Sequence, residues 1–306
     1  MFKKLLLVFV VVFLQGCAGD KEVNIGVHPW IGYQPIYIAE QKDLLPKSIK
    51  LQHNQSATDT KNQFLNGKID AGYLTLDEVL ALNGQGMDLK VVMIADISAG
   101  ADQVLAKRPI SSREDIINSS IGYEKGAVGQ LVLISFLKKY GLSAEDVNLV
   151  NFTVDQHHSA WSEGDLDFII SYEPSVTILK QAGAVEVFSS KEMPEMIIDV
   201  LAVKSSLIKA GCGVIDDLTD AHFEGLKLLK HSFQDTSYLV ADNLGISQKQ
   251  TAMMMNDLSF PSRQINAEIL NDSFYDKTIK VAETLRAAGL IETVPSGEVH
   301  NVKCLF

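Results

Sequence analysis

The chain has little cysteine, little positive charge and only one long apolar run, and each shortage excludes a class of protein. Three cysteines in 306 residues form no Cys-x-x-Cys pair and no Cys/His spacing, so nothing suggests a zinc site. Lys and Arg number 27 against 38 Asp and Glu, a formal net charge of -11. No cluster of Lys and Arg stands out, and phosphate backbones are held by such clusters, so nucleic acid is not an expected partner. There are no internal repeats, no nucleophile elbow and no Ser/His/Asp pattern. Beyond residue 14 no stretch is apolar for the roughly 20 residues that a membrane-spanning helix takes.

The one long apolar run lies at the start. Met1-Phe2-Lys3-Lys4 precedes unbroken apolar sequence from Leu5 to Leu14, about ten residues, the length of a signal-peptide core. Leu14-Gln15-Gly16-Cys17 is similar to a bacterial lipobox. Residues 1–16 are therefore expected to be a lipoprotein signal peptide, Cys17 the lipid-bearing first residue of the mature chain, and 17–22 its tether. The alternative is an ordinary secretory signal with an incidental cysteine. Loss of Lys3 and Lys4 takes the formal charge from -11 to -13. One acyl chain binds membranes only marginally, so a firm anchor needs a second on the new amino terminus. The expected location is the cell envelope, on a membrane, facing the periplasm or the cell exterior. Cys212 and Cys304 are either a disulfide, which an oxidising compartment allows, or two separate buried thiols.

The remaining chain is long enough for two domains. Strand patterns at 23–27, 49–53, 69–74 and 89–97 alternate with helical ones, and Ser98-Ala99-Gly100-Ala101 reads as a break. A second alternation has strands at 121–124, 148–152, 168–172, 185–188 and 197–203, with helices at 126–140, 156–162 and 175–182. This order predicts α/β architecture with mostly parallel sheets. Helices then dominate, at 216–234, 236–243, 247–258 and 272–288. Ser247 with Gln250 forms a capping-box pattern, Gly289 reads as a C-cap, and Met253-Met254-Met255 reads as core filler. The layout is one lobe from 23–100 and 201–306, a second from 101–200, and two crossings near 98–102 and 199–204 that act as a hinge.

Three local patterns carry a family resemblance. They are Trp30-Ile31-Gly32-Tyr33-Gln34-Pro35-Ile36-Tyr37-Ile38-Ala39 after the first strand, Asn66-Gly67-Lys68-Ile69-Asp70-Ala71-Gly72, and Ser162-Glu163-Gly164-Asp165-Leu166-Asp167-Phe168 leading to Tyr172-Glu173-Pro174. In this order the chain resembles the ABC-transporter periplasmic solute-binding proteins of the nitrate/sulfonate/taurine (SsuA/THI5-like) family, over nearly the whole mature length. The resemblance implies a type II periplasmic-binding-protein-like fold, a ligand in the interlobe cleft, delivery to ABC permease subunits, a monomer, no cofactor and no catalysis. It leaves the solute open, since members bind sulfonates, nitrate, bicarbonate and pyrimidines. A sensory binding protein that presents its ligand to a membrane receptor fits the same pattern. An enzyme on the same fold is the remote alternative.

In open α/β sheets ligands sit beyond the carboxyl ends of the strands, and four segments fall there. Trp30 and Tyr33 either stack on a flat ligand and offer it an N–H and an O–H, or pack beneath the loop. Thr75 and Asp77 are ligand contacts or a helix cap, and the cap alone explains Asp77. Glu124 ends a strand and Gly126 begins the next helix, with Gly126 allowing close approach to the amides there. Tyr172 is a cleft aromatic, and Glu173 is a ligand contact or an ion pair at a helix start. Lys125 is the only cation in these segments, which favours a neutral or cationic solute, such as an aminopyrimidine or an amine, over a sulfonate or other oxyanion. Helix N-termini leave an oxyanion open. His157 and His158 point about 100° apart on a helix, so no metal site is expected there.

Overall fold

The computed structural model describes residues 22–304; the expected signal peptide and Cys17 lie outside them. Four strands, β1 (Val23–Val27), β2 (Ile49–His53), β3 (Ala71–Thr75) and β4 (Leu89–Ser98), open the chain. Five more follow: β5 (Asp102–Ala106), β6 (Ser120–Tyr123), β7 (Asn148–Asn151), β8 (Phe168–Tyr172) and β9 (Val185–Ser189). Then come β10 (Ile198–Lys204) and the short β11 (Leu258–Ser259). They build two sheets, ordered β11-β4-β10-β3-β1-β2 and β7-β6-β8-β5-β9. Helices cover both sheets, and β3, β5 and β8 are buried along their whole length. That is why β3 and β8 read as near-continuous apolar sequence rather than as alternation.

The sheets are less parallel than the sequence predicts. β1 runs parallel to β2 and β3, and β6 to β7 and β8. In each sheet, however, one strand runs the other way between its neighbours: β10 between β3 and β4, and β5 between β8 and β9. These are the first strands after each crossing. A chain that leaves one sheet at its cleft end enters the other from the cleft side, so its first strand must run against those that end there. The sequence reading has no strand at 102–106. It also sets a lobe boundary at 200/201, which falls inside β10; the second connection is 190–197. The two connections touch: Ser190 Oγ lies 2.8 Å from Ser98 Oγ and accepts from the Gly100 amide at 2.6 Å.

The helical return closes the first sheet. Helix Gln34–Gln41 crosses helix Gly213–His231 at Gly225, where a Cβ would lie 1.9 Å from the Pro35 carbonyl oxygen; only glycine allows that approach. The edge of β4 is covered along its length. Beyond β11, Asn266 accepts from the Ile94 amide at 2.8 Å and donates to the Ile94 carbonyl at 2.6 Å. The tail bridges Val91 through Val299 and Asn301. Asn266 belongs to helix Arg263–Asp272, which the sequence reading leaves out. Cys212 and Cys304 form a disulfide, which fastens that tail to the start of helix Gly213–His231. The Ser247/Gln250 capping box is present, and Gly289 takes the left-handed conformation after the last helix. Of the three methionines only Met254 is core; Met253 is exposed. Among the described residues no helix is long and apolar enough to cross a membrane.

Candidate ligand site

A small cavity of about 10 Å³, room for little more than one water molecule, lies between the sheets. The first sheet lines it with His28, Trp30, Tyr33, Thr75, Glu78 and Asp199, the second with Asp102, Val128 and Tyr172. Strand ends explain the gathering. His28 follows β1, Thr75 ends β3, and Tyr172 ends β8. Asp102 opens β5, and Asp199 is the second residue of β10. The reversed strands thus bring two acidic residues from their amino ends to a place where parallel strands offer their carboxyl ends.

The polar tips of the two aromatic residues are already engaged. Trp30 Nε1 donates to Asp96 Oδ2 at 3.1 Å, and Tyr33 Oη donates to Asp199 Oδ1 at 2.6 Å. A Cβ on Gly32 would lie 1.9 Å from that Asp96 oxygen, so glycine lets the loop close over the carboxyl group. Trp30 meets Tyr172 edge-on across the cleft, with ring centroids 5.5 Å apart. Trp30 and Tyr33 therefore offer the cavity ring surface, with the N–H and O–H engaged inside the protein, which is nearer the packing alternative than the ligand-donor one.

The electrostatics are dominated by buried carboxyl groups. Burial raises Glu78 to about 8, with the neighbouring Asp77 adding to the shift. Burial raises Asp96 to about 8, opposed by the Trp30 hydrogen bond and aided by Asp102. It raises Asp102 to about 7. Asp199 is driven well above the usual range by burial and then by Asp96. His28 is lowered to about 3 by burial, so its ring is neutral. Glu78 Oε1, Asp96 Oδ1, Asp102 Oδ2, Asp199 Oδ2 and the Tyr172 hydroxyl have no hydrogen-bond partner among the described residues, whereas the Thr75 side chain caps helix Leu76–Gly84.

Of the residues singled out from sequence, Trp30, Tyr33, Thr75 and Tyr172 line the cavity. The other four do not. Thr75 precedes helix Leu76–Gly84, and its amide donates to Glu78 Oε2 at 3.0 Å, so the helix start is closed by Glu78 rather than by Asp77. Asp77 is buried, with Oδ1 unpaired among the described residues. Glu124 accepts from Thr58 N and Thr58 Oγ1, at 3.1 and 2.6 Å, and so ties the end of β6 to helix Ala57–Leu65. The Gly126 amide donates to Gln130 Oε1 at 2.8 Å, and its carbonyl accepts from Lys61 Nζ; that amide is not free for an anion. Glu173 accepts from Thr177 N and Oγ1 and caps its own helix. His157 is buried against Ser171 while His158 is exposed. Sequence reasoning missed His28, Glu78, Asp102 and Asp199. A signal existed for Asp199 and Asp96: each is an acidic residue inside an otherwise apolar strand.

Two sheets with reversed strands at the crossings, closed on a cavity between them, define the two-lobed periplasmic-binding-protein fold. The chain belongs to the NMT1/THI5-like family, whose model matches residues 31–232. It is 22% identical over 167 residues to the taurine-binding periplasmic protein of Escherichia coli (strain K12), a match covering 53% of this chain and 52% of that protein. The chain thus spans about half the length of that curated relative. Over larger spans the fold is similar to the periplasmic aliphatic sulphonate binding protein SsuA from Escherichia coli, with a TM-score of 0.73, 16% identity and 90% of each chain covered. It is similar to the alkanesulfonate-binding protein SsuA from Xanthomonas axonopodis pv. citri bound to MOPS, with a TM-score of 0.74, 17% identity, and 91% of this chain and 96% of that one covered. The ligand-binding component of an ABC-type import system from Staphylococcus aureus, with zinc bound, has a TM-score of 0.76, 12% identity, and coverage of 93% and 97%.

Proposed function

We propose that this chain is the solute-binding component of an ABC importer, tethered to a membrane through lipid on Cys17. One lobe comprises 23–100 and 201–306 in outline, with β10 entire, and the other comprises the five strands from β5 to β9. The solute is a small neutral or cationic molecule, taken between the lobes and passed without chemical change to permease subunits. The observation that carries this reading is a small cavity between the lobes whose lining is built from strand ends of both sheets. A site shared by two bodies is opened and closed by their relative motion, and closure excludes water from a few polar contacts. Family membership and the taurine- and sulfonate-binding relatives support the transport role.

Native mass spectrometry of protein purified from its own host tests capture: the expected result is a complex one small molecule heavier than the chain. Radiolabelled palmitate tests the anchor. Label is expected on the wild-type chain and lost in Cys17→Ser; label retained in that variant would remove Cys17 from the proposal.

A further inference from the structure

The cavity holds more carboxyl groups than the surrounding fold neutralises. Asp96 and Asp199 stand directly opposite each other on β4 and β10, both buried. Like charges directly opposite on neighbouring strands repel, and two carboxylates that share a buried site do not both ionise. The charges of Asp77, from the first lobe, and Glu173, beside it in its own sheet, both act on Asp102, and those of Asp77 and Glu124 act on Glu78. The cation acting on Glu78 is Lys61, whose ammonium is held by the Gly126 carbonyl. His28 is neutral, and Tyr33 is a donor to Asp199.

A second observation is independent of the acids. The Tyr172 hydroxyl lines the same cavity, belongs to a side chain only 5% exposed, and has no partner among the described residues. Buried polar groups of folded proteins are paired with very few exceptions, so this hydroxyl, which can donate or accept, points to an occupant with a polar group, and the unpaired carboxyl oxygens point to one with N–H donors.

The inference rests on the solute-binding reading. We propose that the solute is a compact organic cation bearing N–H donors, that its positive group sits among Glu78, Asp102 and Asp199 beside the rings of Trp30 and Tyr172, and that it displaces protons from those carboxyl groups as it binds. The exchange balances: each carboxylic acid gives its proton to solvent and stays as carboxylate, while the ligand keeps its own proton. The N–H donors reach the unpaired oxygens, and the aromatic rings add a cation–π attraction. A sulfonate without an ammonium group would bring only acceptors and negative charge to a cavity crowded with carboxyl groups, with O–H groups as its donors.

Isothermal titration calorimetry at pH 6, 7 and 8, in buffers of different ionisation enthalpy, tests the exchange. The probes are ethanolamine, putrescine, guanidinium, tetramethylammonium, taurine and methanesulfonate. Binding of an N–H cation is expected, at least about tenfold tighter than tetramethylammonium, with protons released to the buffer. Affinity should rise by up to about tenfold per pH unit for each proton released. Asp102→Asn should weaken that binding at least about tenfold and release fewer protons; the wild-type proton count tests the inference even if this variant misfolds. Methanesulfonate binding more tightly than every cation, or cation binding without proton release, overturns the charge assignment and leaves the capture reading standing. A chain that binds no probe and carries no small molecule out of its host overturns both.

Discussion

Asp199 lies in a strand whose neighbours, Ile198 and Val200 to Val203, are all apolar and buried. An ionised carboxylate there would cost several kcal/mol of hydration, so it is kept protonated, hydrogen-bonded or matched by a cation. Asp199→Asn keeps an acceptor for the Tyr33 hydroxyl and removes the charge. At pH 8.5 the variant is expected to melt at a higher temperature than wild type by calorimetry, while cation affinity falls at least about tenfold. A lower melting temperature at that pH would mean that Asp199 stabilises as an anion. Gly32→Ala acts by sterics instead. It drives a methyl group into the Asp96 carboxyl and should cost about 1–3 kcal/mol, read by urea unfolding. Half of the site residues named from sequence line the cavity, and the reason for the division is local. Trp30, Tyr33, Thr75 and Tyr172 lie at or just beyond carboxyl ends of strands, which sequence order exposes. Glu124 and Glu173 lie at strand ends too, but Thr58 and Thr177 engage them, and those partners are chosen by packing.

At the scale of elements, one contact and one covalent bond are open to test. Thr58 belongs to the first turn of helix Ala57–Leu65, and its amide and hydroxyl both meet Glu124 of the other sheet. Thr58→Val removes the hydroxyl donor and leaves the amide. Ligand affinity is expected to fall several-fold as the closed form is weakened, with a larger radius of gyration by small-angle X-ray scattering in the ligand-free protein. An unchanged radius and affinity would make the contact incidental. The Cys212–Cys304 bond closes a separation of 92 residues. Cys304→Ser should lower stability by about 2–5 kcal/mol, and hydrogen exchange should rise first in the tail along β4. Of the two reversed strands, β10 is legible in sequence and β5 is not. β5 is five residues long and buried throughout, and it follows an Ala-Gly break, so neither length nor periodicity announces it. Helix Arg263–Asp272 was hidden for a different reason: its partners, the β4 edge and the last helix, are set by the tertiary fold.

The buried acids make the whole molecule sensitive to pH. Asp102 is held at about 7, and Glu78 and Asp96 at about 8, whereas in the unfolded chain they titrate near 4. Between those values the folded protein binds more protons than the unfolded one. Stability from these groups is therefore complete below about pH 4 and is lost as pH rises through 7 and 8. His28 and His222, both lowered to about 3 by burial, act in the opposite sense. Their contribution is present above about 6.5 and is lost as pH falls toward 3. The expected result is a stability maximum in mildly acidic solution and a fall on the order of 2 kcal/mol between pH 6.5 and 8.5, measured by thermal unfolding of the ligand-free protein. A bound cation should flatten that fall.

By itself the sequence determined the alternation of strands and helices, the division between an α/β body and a helical return, and the family, because these depend on local periodicity and short motifs. It also contained the shortage of cations near the cleft. Only the tertiary structure decided that β5 and β10 run against their neighbours, since direction depends on which side of a sheet the chain enters from. That reversal brings Asp102 and Asp199 to the cavity, sets Asp96 against Asp199, and turns a mild compositional lean into a buried group of carboxyls raised by desolvation.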